Sequence, residues 1–287
     1  MTAISIIGAG WVGTRIGQGF NKLGHVVRYY DIVDKSELPG FTRSLNQAVL
    51  STSISFICVP TPTVHGEIDL QYITSACSSV GSALKAKKEY HVVVIKSTVV
   101  PGTTDMTLIP ILERASGRQI PDDFGVCVNP EFITQISHTW NADKEYERTF
   151  FNEDRIVIGS ADEKAGSMVE ELYSPLRLPA FRTDLMTAEF IKYAANCMLA
   201  TKISYWNELY GLAESIGVDL SEVANAVTAD TRIGKYGSRF GKAFGGTCLP
   251  KDLEAFIRFA EPHYPLKLLK AVDEVNEEMK RAYGVRE

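Results

Sequence analysis

The glycine pattern Gly8-Ala9-Gly10-Trp11-Val12-Gly13 stands between an apolar run at 4–7 and a stretch of helix formers, and a second apolar run then ends on Asp31. That order prescribes strand, tight turn, helix and strand. The glycines let the backbone turn sharply and come close to a pyrophosphate, which then rests on the positive end of the helix. Gly8, Gly10, Trp11, Val12 and Gly13 are therefore candidate cofactor contacts. Asp31, at the end of the second strand, can accept hydrogen bonds from both ribose hydroxyls. A 2′-phosphate there would meet like charge, so the pattern favours NAD over NADP. Lys35, just beyond, is a further candidate at the same end of the cofactor.

Short β-rich runs recur at 54–59, 91–95, 125–128 and 155–159, separated by helical stretches. They are apolar throughout rather than alternating, as expected of parallel strands buried on both faces. The rhythm changes near 183. From Asp184, a plausible N-cap, to Gly217, a plausible stop, helix formers dominate. One helix over 184–216 would reach about 50 Å. A glycine-rich loop at 234–246 and further amphipathic helices follow. The expected fold is thus α/β, a Rossmann-type doubly wound parallel sheet (1–183) followed by an all-helical domain built on one long helix (184–287).

Composition narrows the function. A net charge of -5 lacks the basic footprint of a nucleic-acid binder. The N-terminus has no basic residue before Arg15, so it reads as a strand and not a signal peptide. No apolar run approaches membrane-spanning length. The five cysteines are scattered, with no CxxC, which argues against a disulfide framework or a metal site and suits a reducing, cytoplasmic setting.

Two segments carry candidate chemistry. In Phe244-Gly245-Gly246-Thr247-Cys248-Leu249-Pro250-Lys251-Asp252 the cysteine follows two glycines, which opens its surroundings to a substrate. A nearby lysine and a helix starting after Pro250 both favour a thiolate. Asp252 is placed to hold a water or orient a partner. The other four cysteines lie in apolar surroundings and read as inert small hydrophobes. In the long helix, Lys192 and Asn196 lie one turn apart on one face, where they could clamp an oxyanion. An equal alternative is a surface Glu189–Lys192 pair beside a solvated Asn196.

Together the segments IIGAGWVG, VPTPTVHGEIDL, KSTVVPGT, NPEF, DRIVIG, TAEFIKYAANCMLATKISYWNE and AFGGTCLPKD resemble, in order, the nucleotide-sugar 6-dehydrogenases, which act on UDP-glucose, UDP-N-acetylmannosamine or GDP-mannose. The AFGG spelling, with Ala243, is most similar to the GDP-mannose branch. The resemblance implies oxidation of a sugar C6 alcohol to the carboxylate by two NAD in turn, the uronic acid chemistry of polysaccharide biosynthesis. Cys248 would form a thiohemiacetal and then a thioester. Lys192 and Asn196 would stabilise oxyanions, Asp252 would act with a water, and Glu131 would assist thioester hydrolysis. Thr98 would orient a water or the cofactor, and Thr61 and Lys251 would contact the cofactor. Arg232, Gly237, Ser238, Arg239, Phe240, Gly241 and Gly245, with Glu131, Lys192 and Asn196, would face the nucleotide sugar. The long helix would form a homodimer core.

The sequence departs from the family in four places. Gln135 stands where a second glutamate is usual, with Thr134 beside it, and an amide cannot take the proton a carboxylate takes. HTWNADKEYER lengthens the stretch from Glu131 to Arg155, while DIVDKSELPGFTRS is short. The family continues into a second Rossmann-like domain; the chain ends at Glu287, so a C-terminal UDP/GDP-binding domain is expected to be absent, whether through a fragment, a short form or supply by a partner. Two alternatives stand beside the leading reading. One is a non-catalytic NAD-binding dimer. The other is a two-electron dehydrogenase of the 6-phosphogluconate type, which would have no use for Cys248.

Overall fold

A computed structural model describes residues 1–134 and 146–286. The chain divides into two compact units: Met1–Pro62, Ile68–Ile133 and Arg148–Lys192 form one, and Thr63–Glu67, Thr134–Glu147 and Tyr193–Glu287 the other.

In chain order the first stretch runs β1 (Ala3–Ile7), α1 (Trp11–Lys22), β2 (Val26–Tyr30), α2 (Leu45–Leu50) and β3 (Ile54–Ile57). After a short ladder of β4 (Thr63–Val64) and β5 (Glu67–Ile68) come α3 (Gln71–Leu84), β6 (His91–Ile95), α4 (Ile109–Ser116) and β7 (Phe124–Val128). β8 (Ile156–Ser160), α5 (Glu163–Tyr173) and β9 (Ala180–Thr183) complete the first unit's sheet. The strand order is β2-β1-β3-β6-β7-β8-β9. Neighbours from β2 to β7 are parallel. Alternate residues of the central strands feed two cores. Val93, Ile95 and Val126 pack with α3 and α4 on one face, and Val92, Val94 and Cys127 pack with α1 and α5 on the other. Burial on both faces explains why these runs are apolar at every position.

Two features of the sheet depart from the sequence pattern. β8 is antiparallel to β7, through the register Val128↔Gly159. β9, parallel to β8, has no apolar run to announce it: Ala180 and Phe181 are exposed and Arg182 forms ion pairs with Glu163 and Glu170.

α6 (Leu185–Ile216) is 32 residues long and begins with an Asp184 cap, whose Oδ1 accepts the Thr187 N–H at 2.8 Å. It stops before Gly217, which adopts φ +74°. That left-handed conformation favours glycine and ends a helix. In the second unit follow α7 (Leu220–Thr228), α8 (Leu249–Ala260) and α9 (Lys267–Tyr283). Trp206, Ala213, Leu220 and Ala224 form a small core there, and Tyr193 stacks on Phe256 at 5.1 Å. No helix among the described residues is long and apolar enough to cross a membrane.

Candidate active site

The dinucleotide turn is built from β1, α1 and β2. Gly8 adopts φ +98°, and a Cβ there would lie 2.8 Å from the Cys58 carbonyl carbon. A Cβ on Gly13 would stand 2.0 Å from the Gly8 carbonyl oxygen, so only glycine lets α1 start this close to β1. Gly10, by contrast, is exposed, with nothing within 4 Å of its Cβ position. It is the N-cap of α1, makes no side-chain cap, and no acid occupies the first turn. An anion can therefore reach the positive helix end unopposed. Asp31 closes the turn: Oδ2 accepts the Ala9 N–H at 2.7 Å and Oδ1 the Val33 N–H at 2.9 Å. Trp11 and Val12 are half-buried in the first turn of α1, with the Arg15 guanidinium 3.9 Å from the Trp11 ring centre. Lys35 is half-buried in the loop beyond Asp31. These residues fit a dinucleotide of the NAD type.

Further along the same sheet, the carboxyl ends of β3, β6 and β7 gather polar groups, as open α/β sheets do at their ligand edge. The buried Thr61 hydroxyl donates to the Thr98 carbonyl at 2.7 Å, joining two expected cofactor contacts to each other. The NPEF turn after β7 is heavily anchored. Lys192 Nζ, on α6, donates to the Glu131 carbonyl at 2.6 Å and lies 3.3 Å from Glu131 Oε1. Both side chains are buried. Glu131 Oε2 accepts the Ile133 N–H at 2.8 Å. The structure thus decides against a surface Glu189–Lys192 pair. Glu189 is itself buried and accepts the N–H groups of Gly102 at 2.5 Å and Thr104 at 2.9 Å. Burial pushes its carboxyl up to about 7.

Four residues at this edge were not singled out by the sequence. Lys96 Nζ, buried at the end of β6, donates to Asn129 Oδ1 at 2.9 Å and to the Pro130 carbonyl at 3.3 Å. Burial holds its ammonium below the usual range. Tyr173 donates to the same Asn129 oxygen at 2.7 Å. Glu153 is 5% exposed, and burial pushes its carboxyl up to about 7 against the opposing pull of Lys96. A charge at the carboxyl end of an apolar parallel strand was the available signal for Lys96. Gln135 lies outside the described residues, as does most of the segment 138–148.

In the second unit, Cys248 is exposed and forms the N-cap of α8, ahead of Pro250. The other cysteines differ: burial pushes the thiols of Cys58, Cys77 and Cys197 up to about 12, and that of Cys127 higher still. One turn into α8, Asp252 is 1% exposed. Its Oδ2 accepts from Asn196 Nδ2 at 2.6 Å and its Oδ1 from Lys251 Nζ at 2.6 Å. Asn196 is therefore no solvated surface amide. Thr63 adds a further tie, donating its hydroxyl to the Lys251 carbonyl at 3.2 Å.

The loop before Cys248 is held by two buried asparagines that the sequence did not mark. Asn207 on α6 donates to the Lys242 carbonyl and accepts the Gly241 N–H; Asn276 on α9 accepts the Phe244 N–H and donates to its carbonyl. Gly245 faces Val285, leaving no space for a Cβ. Gly237, Ser238, Arg239 and Phe240 line a cavity of about 410 Å³ with Lys235 and Arg286. Among the described residues on its wall, three are cations and none is a carboxylate. Burial and the charge of Arg239 pull the Arg286 guanidinium below its ordinary value. Gly241 packs against the Tyr210 ring. Arg232 does not join this cavity; its exposed guanidinium folds back onto Asp230 in a local ion pair.

Comparison with known proteins agrees with this assembly. The NAD binding domain of the UDP-glucose/GDP-mannose dehydrogenase family is matched over residues 36–177, and the family's central domain over 186–278. The chain is 36% identical to the UDP-glucose 6-dehydrogenase TuaD of Bacillus subtilis, with 98% of this chain and 64% of that protein aligned. It is 37% identical to the GDP-mannose 6-dehydrogenase of Pseudomonas aeruginosa over 88% of this chain and 63% of that protein. The chain thus spans less than two thirds of the length of these curated relatives. Among solved structures, a UDP-glucose dehydrogenase from Pyrobaculum islandicum superimposes with a TM-score of 0.88 at 36% identity, covering 98% of this chain and 69% of that one. The sequence segments, the sheet with its dinucleotide turn and these likenesses converge: the chain belongs to the UDP-glucose/GDP-mannose dehydrogenase family.

Proposed function

We propose that the protein oxidises the C6 alcohol of a nucleotide sugar to a carboxylate through a covalent adduct on Cys248. The observation that carries this reading is an exposed cysteine capping a helix one turn before a buried, doubly bonded aspartate. Gly8, Gly10, Trp11, Val12, Gly13, Asp31 and Lys35 would hold NAD, with Thr61, Thr98 and Lys251 as further contacts. NAD supplies the hydride acceptor for both oxidations when bound.

The protein's own residues then have distinct tasks. The Cys248 thiolate adds to the C6 aldehyde, forming a C–S bond and a thiohemiacetal; after the second oxidation the sugar is held as a thioester. Lys192 and Asn196, one turn apart on α6, stabilise the oxyanion on C6. Asp252, fixed by Asn196 and Lys251, orients a water and moves its proton. Thr98 orients a second water. Glu131 accepts a proton when water cleaves the thioester. The cations Lys235, Arg239 and Arg286 suit the diphosphate of the substrate, and Ser238, Phe240, Gly237, Gly241 and Gly245 shape the loop around it; Arg232 would have to leave Asp230 to take part. A second copy of the chain completes the reading. Met198, Tyr205, Leu212 and Ile216 are exposed along α6, an apolar stripe suited to a homodimer. Five free cysteines suit a cytoplasmic setting.

The test is stoichiometry. With NAD and a panel of UDP- and GDP-sugars, two NADH per sugar oxidised are expected. One NADH would mean a two-electron dehydrogenase, and none, with intact NAD binding, a non-catalytic dimer. Separately, Asp31→Ala should weaken NAD binding roughly ten- to a hundredfold, because it removes a charged acceptor from ribose and releases the Ala9 N–H. Calorimetric titration would check this, and an unchanged affinity would remove Asp31 from the cofactor site.

A further inference from the structure

Glu189 and Lys192 stand close to one turn apart at the start of α6, and each grips a different loop of the sheet's ligand edge. Lys192 holds the Glu131 carbonyl in the turn after β7. Glu189 holds the loop after β6. Its Oε2 accepts the Gly102 N–H at 2.5 Å and its Oε1 the Thr104 N–H at 2.9 Å.

The second grip fills a need of the loop. A π-helical turn, Thr104–Leu108, runs into α4. The first N–H groups of a helix have no partner within it and form its positive end. The N-cap of this turn, Thr103, does not cap it: its hydroxyl donates to the Val100 carbonyl at 2.6 Å. Glu189, only 2% exposed, supplies the acceptors and the negative charge from another helix. The loop between this anchor and β6 has little slack. The Thr103 N–H closes a turn on the Val100 carbonyl at 3.1 Å, and Val99, Pro101, Gly102 and Thr103 are buried. At the other end, Ser97 Oγ donates to the Val59 carbonyl at 2.7 Å, and the Thr98 carbonyl accepts from Thr61 at 2.7 Å. Thr98 therefore lies between two anchors, one on the β3 side and one on α6.

We propose that Glu189 is a positioning residue for the cofactor: by holding the Gly102 and Thr104 N–H groups together, its carboxylate fixes the loop 98–104 so that Thr98 is presented to NAD. The proposal rests on the reading of Thr98 as a cofactor contact given above. Both carboxylate oxygens are needed. A glutamine of the same size has one acceptor, and its amide N–H groups would confront the remaining backbone N–H, donor against donor. The loop would then have to shift, and Thr98 with it.

The experiment is a double-mutant cycle read by calorimetric titration of NAD, which needs no turnover. Glu189→Gln and Thr98→Ala should each weaken NAD binding about tenfold, and the double variant should lose no more than about a further twofold beyond Thr98→Ala, because the group through which Glu189 acts is gone. Additive losses would overturn the proposal, since a merely structural group weakens the site whatever stands at 98. So would an unchanged NAD affinity in either single variant. Glu189→Asp keeps both acceptors on an arm one methylene shorter and guards against loss of the fold. It should bind NAD more tightly than Glu189→Gln; an aspartate variant that binds no better would show that the paired acceptors are not what positions the loop. A wild type that binds NAD but makes no NADH from any nucleotide sugar would sink the proposed oxidation and leave the cycle readable. Additivity in a protein that turns over would sink only the role of Glu189.

Discussion

Cys248→Ser is expected to abolish uronate formation while leaving the protein folded and able to bind NAD. The thiol is exposed, so exchanging sulfur for oxygen disturbs little packing, and stability should stay within about 0.5 kcal/mol of wild type. The chemistry has no such tolerance. At neutral pH a serine hydroxyl is almost wholly protonated, whereas a thiol yields a useful fraction of thiolate. An alkoxide ester would also be a poorer acyl intermediate than a thioester. Loss of the nucleophile should lower carboxylate formation by about 10³-fold or more. The first oxidation needs no bond to sulfur, so at most one NADH per sugar should be counted. Chromatography of the sugar products and an NADH titration read both quantities. A serine variant making uronate at the normal rate would remove the covalent intermediate from the mechanism.

Lys192→Ala should damage stability and rate together. The ammonium is bonded to the Glu131 carbonyl and lies against its carboxylate, both side chains being buried. Taking away one partner of such a pair leaves the other charge desolvated, at a cost of about 3–5 kcal/mol. Loss of an oxyanion donor should lower kcat by roughly 10²–10³-fold. Urea unfolding and first-turnover kinetics separate the two effects. Lys192→Met, which keeps the side-chain volume, should recover some packing and none of the rate. A Lys192→Ala protein with an unchanged unfolding midpoint and unchanged kcat would place Lys192 outside the site.

The dinucleotide half of the fold was readable because its constraints are local. A glycine must stand where a Cβ would strike a carbonyl, and a strand buried on both faces must be apolar throughout. The Cys248 loop was readable for a similar reason, since glycines, proline and charge lie together in a few residues. The partners that hold the site were not readable. Asn207 and Asn276 look like ordinary helix-surface polar residues until the loop they fasten is seen against them. Glu153 sits in a polar segment whose composition suggests solvent, and its burial follows from the antiparallel return of β8, which the sequence did not announce. The choice between the two environments for Lys192 also depended on tertiary structure: the nearby glutamate in sequence, Glu189, is bonded to backbone N–H groups at 102 and 104, and the actual partner comes from the turn after β7.

The Asp31 carboxylate has a second consequence, for how cofactor preference could change over evolutionary time. One of its oxygens secures Ala9 inside the glycine turn and the other the backbone at Val33. Replacing it with a neutral residue to admit a phosphorylated ribose would also slacken the turn that receives the pyrophosphate. A lineage drifting toward NADP would have to repair the turn in the same interval, so no single codon change makes the crossing. Preference and architecture are inherited as one trait.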